Sequence, residues 1–104
     1  MTKDEIAAWA LANGWQAMAG ALCLTKPSSP KEAIVRLSLK ATVVTLEVKR
    51  PAGKWDKVAS EAYAHVMADP DTGVPLGLGF EKIPSFSRLM QDNKDQRVFA
   101  KLGG

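Results

Sequence analysis

The residues that carry most catalytic and metal chemistry are scarce in this chain, which has one cysteine and one histidine among 104 residues. A single cysteine excludes an internal disulfide and favours a reducing compartment. Zinc sites need three or four clustered ligands, which this sequence lacks. Asp69 and Asp71 flank Pro70, but a calcium loop needs further oxygen ligands at fixed spacing. We therefore expect an ordinary turn there, no metal site and no cofactor.

Candidates for catalysis lack partners in the sequence. His65 follows Glu61 by four residues, so on a helix the carboxylate could orient the imidazole as a general base. No residue nearby is identifiable as its nucleophile, and a surface histidine is the simpler interpretation. Cys23 lies in an apolar stretch and is expected to be a buried structural thiol. The sequence favours a protein that is not an enzyme.

Long hydrophobic runs are also lacking. No stretch approaches the roughly 20 apolar residues of a membrane-spanning helix, and the N-terminal residues show no signal-peptide pattern. We expect a cytoplasmic protein with no membrane partner. The composition, with 46% hydrophobic and 24% charged residues, is typical of a folded globular chain. The length favours one domain over 1–104, with its core in 3–68 and a C-terminal extension in 69–104.

Positive charge is concentrated in the middle of the chain. The net charge is +3, but residues 26–57 contain eight basic and only three acidic side chains, and the remainder is mildly acidic. A basic segment of this kind is compatible with a polyanionic partner, although lysines scattered over a solvated surface are common.

The N-terminal segment has the signals of a helix. Thr2 precedes Glu5 by the capping-box spacing, and Asn13-Gly14 provides a residue that tolerates positive φ where the helix should stop. We predict a helix over 3–13. Segment 15–25 alternates poorly and fits either a strand or a second helix, and we assign it to a strand. Segment 26–31 contains two prolines and is predicted to be a loop.

A β-hairpin is the clearest pattern. Apolar and polar residues alternate over two segments, which predicts two strands with one apolar face. That face comprises Val35, Leu37, Leu39, Val44, Leu46 and Val48. A two-residue turn at Lys40-Ala41 would set Leu37 opposite Val44 and keep both apolar sets on one side.

The stretch 54–68 favours helical spacing. If this stretch is wound as a helix at 100° per residue, one arc of its surface is apolar and comprises Trp55, Val58, Ala59 and Ala62. The helix should end before Pro70, because the residue that precedes a proline disfavours helical backbone. In the tail, Leu78 and Phe80 are expected to fill the core. Short helical turns are predicted over 85–91, capped by Ser85, and over 96–102.

These elements predict an α+β fold with an antiparallel sheet of three to four strands. The sheet is packed by the helices at 3–13 and 54–68, with an irregular or short-helical tail. The α-β-β-β-α order over 3–68 resembles that of double-stranded RNA-binding domains. In that family, the first interstrand loop and lysines at the start of the second helix contact nucleic acid. The resemblance implies phosphate contacts from Lys26 and Lys31, and from Lys54 and Lys57 at a helix N-terminus.

We therefore predict a non-enzymatic binding module that contacts nucleic acid, with no small-molecule ligand. Its predicted contact residues are Lys26, Lys31, Lys49, Arg50, Lys54 and Lys57. The alternative is a protein-protein interaction domain, an adaptor, inhibitor or homodimer. It would use a sheet edge formed by 15–25 or 42–50, or the mixed second face of the sheet. That face is expected to carry Ile34, Arg36, Val43, Thr45, Glu47 and Lys49.

Overall fold

The computed structural model describes the backbone of residues 1–29 and 32–103, and the side chains of 1–29 and 32–96. Five strands form one sheet: β1 (Gln16–Met18), β2 (Ala21–Thr25), β3 (Ala33–Leu39), β4 (Val43–Lys49) and β5 (Trp55–Ala62). A small second sheet pairs β6 (Met67–Ala68) with β7 (Pro75–Leu76). The helices are α1 (Lys3–Ala12) and α2 (Phe86–Gly103), and 3-10 turns lie at Tyr63–His65 and Phe80–Lys82.

Helix α1 confirms the prediction from the capping box. The Thr2 hydroxyl accepts a hydrogen bond from the Glu5 amide at 3.1 Å, and the Glu5 carboxylate accepts one from the Thr2 amide at 2.8 Å. The helix ends at Ala12, one residue before the predicted limit, and Gly14 follows with a φ of +92°.

The main sheet is antiparallel throughout, in the order β1-β2-β3-β4-β5. The fold is α+β as predicted, but the sheet has five strands rather than three to four. One additional strand arises because the segment predicted as a single strand, 15–25, is a hairpin. Its turn residues, Ala19 and Gly20, both have positive φ. Two-residue hairpin turns with this conformation match the right-handed twist of the strands that they connect.

The hairpin of β3 and β4 keeps the predicted core face but not the predicted register. Leu37 pairs with Leu46 and Leu39 with Val44, so the turn lies at Ala41-Thr42 instead of Lys40-Ala41. A shift of two residues leaves every side chain on its own face, because side chains alternate with a period of two. Val35, Leu37, Val44 and Leu46 are accordingly fully buried.

The predicted helix over 54–68 is wrong. Residues 55–62 form β5, which pairs with β4 and joins it through the Pro51–Gly53 turn. Gly53 has a φ of +87°, as in three-residue hairpin loops. The chain then continues through the first 3-10 turn into β6.

Both helices pack on one face of the main sheet. The core combines Ile6, Trp9 and Ala10 from α1 with buried sheet residues and with Phe86 of α2. Leu78 and Phe80 are buried in this core, as predicted. The tail differs from the prediction of two short turns, because one helix runs over the whole of Phe86–Gly103. Ser85 directly precedes that helix but has a φ of +64°.

Candidate functional site

We call the face of the main sheet that points away from the helices the outer face. Strand pairing places a row of side chains across this face. The row runs from Gln16 through Cys23, Arg36 and Glu47 to Lys57, each paired with the next on the neighbouring strand. Alternation along β3 and β4 places Arg36 and Glu47 here because Val35, Leu37 and Leu46 point into the core. The sheet thus assembles residues from all five strands.

Arg36 is held in position from two sides. Its Nε donates a hydrogen bond to the Glu47 carboxylate at 2.9 Å, and the Ser38 hydroxyl donates to the same oxygen at 3.2 Å. The Arg36 guanidinium lies over the indole of Trp55, 4.2 Å from the ring centroid. The hydrogen bond from Arg36 holds the pKa of Glu47 below its ordinary value of 4.5. Glu47 is therefore ionised at neutral pH and fixes Arg36 beside the ring.

Cys23 lies in the same row, between Gln16 and Arg36 on the neighbouring strands. It is a free, buried thiol, and burial raises its pKa. A raised pKa keeps the sulfur protonated near neutral pH, when it is a poor nucleophile. The buried position of Cys23 is as predicted.

The basic pocket lies where β4 turns into β5. It has a volume of about 450 Å³, and Lys26, Glu32, Lys49, Arg50 and Pro51 are among its lining residues. Arg50 donates from Nε to the Asp56 carboxylate. Within the described side chains, Lys26 and Lys49 form no ion pair. Two exposed ammonium groups and a guanidinium thus lie with two carboxylates, Glu32 in the lining and Asp56 on Arg50, and the local charge is positive.

The Trp55 pocket adjoins the basic pocket on the outer face. Its volume is about 190 Å³, and its lining includes Cys23, Arg36 and Trp55. Ala33 and Lys49 line both pockets. We refer to the two pockets together as the outer-face groove. It combines a cationic end with an aromatic end, an arrangement suited to an anionic ligand that also has a flat apolar part.

The structure gathers only half of the predicted contact residues. Lys26, Lys49 and Arg50 line the basic pocket. Lys54 and Lys57 are exposed on the β5 hairpin but line neither pocket. They do not lie at a helix N-terminus, because that segment is a strand, and the resemblance to double-stranded RNA-binding domains ends there. Lys31 lies outside the described residues.

Sequence reasoning missed Arg36 and Trp55 as site residues. The alternation pattern had placed Arg36 on the second face, but Trp55 was assigned to the buried arc of a helix. The overlooked signal was Pro51-Ala52-Gly53, since a three-residue loop ending in glycine predicts a hairpin that continues into another strand. Ile34 was expected on the second face, but it packs against the core where a bulge interrupts the pairing of β2 with β3.

The other candidates from the sequence have simple structural roles. The His65 ring nitrogen lies 3.7 Å from a Glu61 oxygen, and both side chains are at the surface. The Asp69 carboxylate accepts hydrogen bonds from the amides of Asp71 and Thr72, which forms a turn and lowers its pKa. No group of three or more metal-ligating side chains occurs in the described residues.

The sheet edges differ from those expected for a partner strand. In the main sheet, β1 and β5 are the outermost strands, whereas β4 lies between β3 and β5. Segment 15–25 thus contributes an edge through β1, and the prediction of an edge over 42–50 is wrong.

In the part of the chain that is described, neither helix combines the length and apolar character needed to cross a bilayer.

Comparisons of the chain with known protein families, curated proteins and solved structures find no significant match. Function is therefore inferred from the geometry and charge of the outer face.

Proposed function

We propose that this chain is a non-enzymatic module that binds nucleic acid through the outer-face groove. The observation that carries the proposal is that Lys26, Lys49 and Arg50, from separate parts of the sequence, line one pocket. Phosphate groups are recognised by such clusters, because each cation that meets a phosphate releases a condensed counterion. Lys26 and Lys49 have no competing ion pair within the described side chains. They are available to a ligand.

The residues around the groove favour binding over catalysis. The thiol of Cys23 is buried with a raised pKa, and His65 is not among the residues that line the groove. An arginine fixed by a carboxylate is a recognition element, since its remaining N–H groups keep a defined direction. The outer face therefore offers charge and shape to a ligand without an activated nucleophile.

A titration of labelled DNA and RNA at two salt concentrations tests this function. Neutralising three phosphates on a single strand gives a slope of log affinity against log salt of about −2, and roughly a 15-fold loss between about 50 and 200 mM salt. Lys49→Glu should weaken binding and reduce the size of that slope by about 0.7, the share of one phosphate on a single strand. Lys82→Glu is the matched control, because Lys82 is exposed on the 3-10 turn beside the helices.

Affinity that does not change with salt, or an equal loss of affinity in both variants, would overturn the proposal.

The second candidate, a protein-protein interaction domain, would then take precedence. The observation that favours it is β5, an eight-residue strand at the edge of the main sheet. Edge strands can pair with a strand from another chain, although the charged Asp56 and Lys57 and the bulge beside them disfavour such pairing here.

A further inference from the structure

We infer that the outer-face groove selects single-stranded over duplex nucleic acid, with one base in the Trp55 pocket and its neighbouring phosphate in the basic pocket. The inference rests on the proposed function and deepens it by naming the ligand class. The inference follows from the aromatic end of the groove. A protein that bound a duplex only through its phosphates would need no aromatic side chain there.

Trp55 is the tryptophan on the outer face. Trp9 and Trp15 are 8% and 1% exposed in the core, whereas Trp55 is half-buried and lines a pocket. Aromatic rings and arginine planes are the surfaces on which proteins stack unpaired bases. Here the Arg36 guanidinium already lies over one face of the Trp55 ring, 4.2 Å from its centroid, so a base in this pocket would contact the part of the pair that Arg36 does not cover.

Contacts within the protein hold this pair in place. Glu47 fixes the Arg36 guanidinium at 2.9 Å, and Ser38 in turn hydrogen-bonds Glu47. Trp55 itself is on β5, opposite Lys49 on β4, so the sheet determines where the ring lies. Side chains that already have such contacts lose less conformational entropy on binding than side chains without partners.

The two pockets are adjacent, as a nucleotide requires. Lys49 lines both the aromatic pocket of about 190 Å³ and the basic pocket of about 450 Å³. If a base lies beside Trp55, the phosphate of the same nucleotide would lie near Lys49. Lys26 and Arg50 would then lie near the next phosphate of the nucleic acid. An unpaired base can turn out of its stack and enter such a pocket, whereas a base within a duplex is enclosed by its neighbours.

The experiment compares fluorescein-labelled oligo-dT and oligo-U of about ten nucleotides, a length within the usual range of single-strand sites, with a duplex of the same length. We expect the single strands to bind more tightly and to quench tryptophan fluorescence, and the quenching should be lost in Trp55→Leu, which keeps Trp9 and Trp15. Trp55→Leu should lower single-strand affinity by about 5- to 150-fold, the effect of losing one stacked base. Duplex affinity should change little. Trp55→Phe, which keeps an aromatic face, should restore part of the loss.

Circular dichroism and thermal unfolding are measured first for each Trp55 variant, to establish that the variant is folded before its affinity for nucleic acid is compared. Two failures are distinguishable. Equal, salt-dependent binding of single strand and duplex, with no effect of Trp55→Leu, would overturn this inference and leave the proposed function standing. The absence of salt-dependent binding to either nucleic acid would overturn both.

Discussion

Glu47 is held by two hydrogen bonds in the middle of the outer face. It accepts from the Arg36 guanidinium and from the Ser38 hydroxyl on neighbouring β3. These bonds favour the ionised carboxylate, and this is why its pKa lies below 4.5. A carboxylate with a lowered pKa in the folded state stabilises the fold above its ordinary pKa, and this contribution disappears as the pH falls through the lowered value.

Glu47→Gln should therefore flatten the acid side of the stability profile. Near neutral pH, the variant is expected to be less stable by about 1–2 kcal/mol, because a charge-assisted hydrogen bond becomes a neutral one. The difference from the unmodified protein should shrink as the pH falls below 4.5 and through the lowered pKa of Glu47, because its carboxylate then also becomes neutral. Urea unfolding across this pH range measures both effects. Glu81→Gln, at an exposed position, is the control, and an equal response in the two variants would contradict the role given to Glu47.

At the scale of elements, β5 shows why an amphipathic pattern was misread as a helix. The pairing of β4 with β5 slips between Leu46 and Glu47, which leaves Val58 as an additional residue. Val58 and Ala59 consequently face the same side, since a Cβ on Gly79 would lie 3.0 Å from one and 3.6 Å from the other. The bulge thus imitates the spacing of a helix, although Trp55 points to the opposite face of the sheet.

The junction between α1 and β1 depends on a glycine packed against α2. Gly14 has a φ of +92°, and a Cβ at this position would lie only 2.8 Å from the Cβ of the buried Asn93. Gly14→Ala should lower the free energy of unfolding by about 2–4 kcal/mol, from left-handed backbone strain and overpacking together. Urea denaturation gives the value.

Gly53→Ala is the matched control for this position. Gly53 has a similar φ of +87°, but apart from its two chain neighbours no described residue lies within 4 Å of the added Cβ. It should cost about 1–2 kcal/mol, from backbone strain alone. If both substitutions had the same cost, α2 would not be packed against Gly14 in solution.

At the scale of the whole molecule, an aromatic cluster joins the N-terminal and C-terminal parts of the chain. Phe80 and Phe86 are stacked with centroids 4.4 Å apart, and Trp9 and Trp15 lie 5.7 and 6.1 Å from Phe80. Phe80 itself is 6% exposed. These rings belong to the same core cluster as the buried residues of β2, β3 and β4, so the helices and the sheet should unfold as a unit.

Phe80→Ala should lower the free energy of unfolding by about 3–5 kcal/mol, because it leaves a cavity at the centre of this cluster. Leu76→Ala removes an apolar side chain that is 46% exposed, and should change stability by no more than about 0.5 kcal/mol. Tryptophan fluorescence and far-UV circular dichroism should give coincident unfolding transitions in urea. Separate transitions would show that the C-terminal segment unfolds independently of the sheet.

The sequence by itself determined the features that depend on neighbouring residues. The capping box located α1, and strict alternation identified the core face of β3 and β4, because both signals act over a few residues. Tertiary structure decided the bulges, the strand character of β5 and the meeting of Lys26, Lys49 and Arg50. These arise from pairing between distant segments, in which burial and ladder hydrogen bonds outweigh local preference. The outer-face groove therefore exists only once the strands are paired.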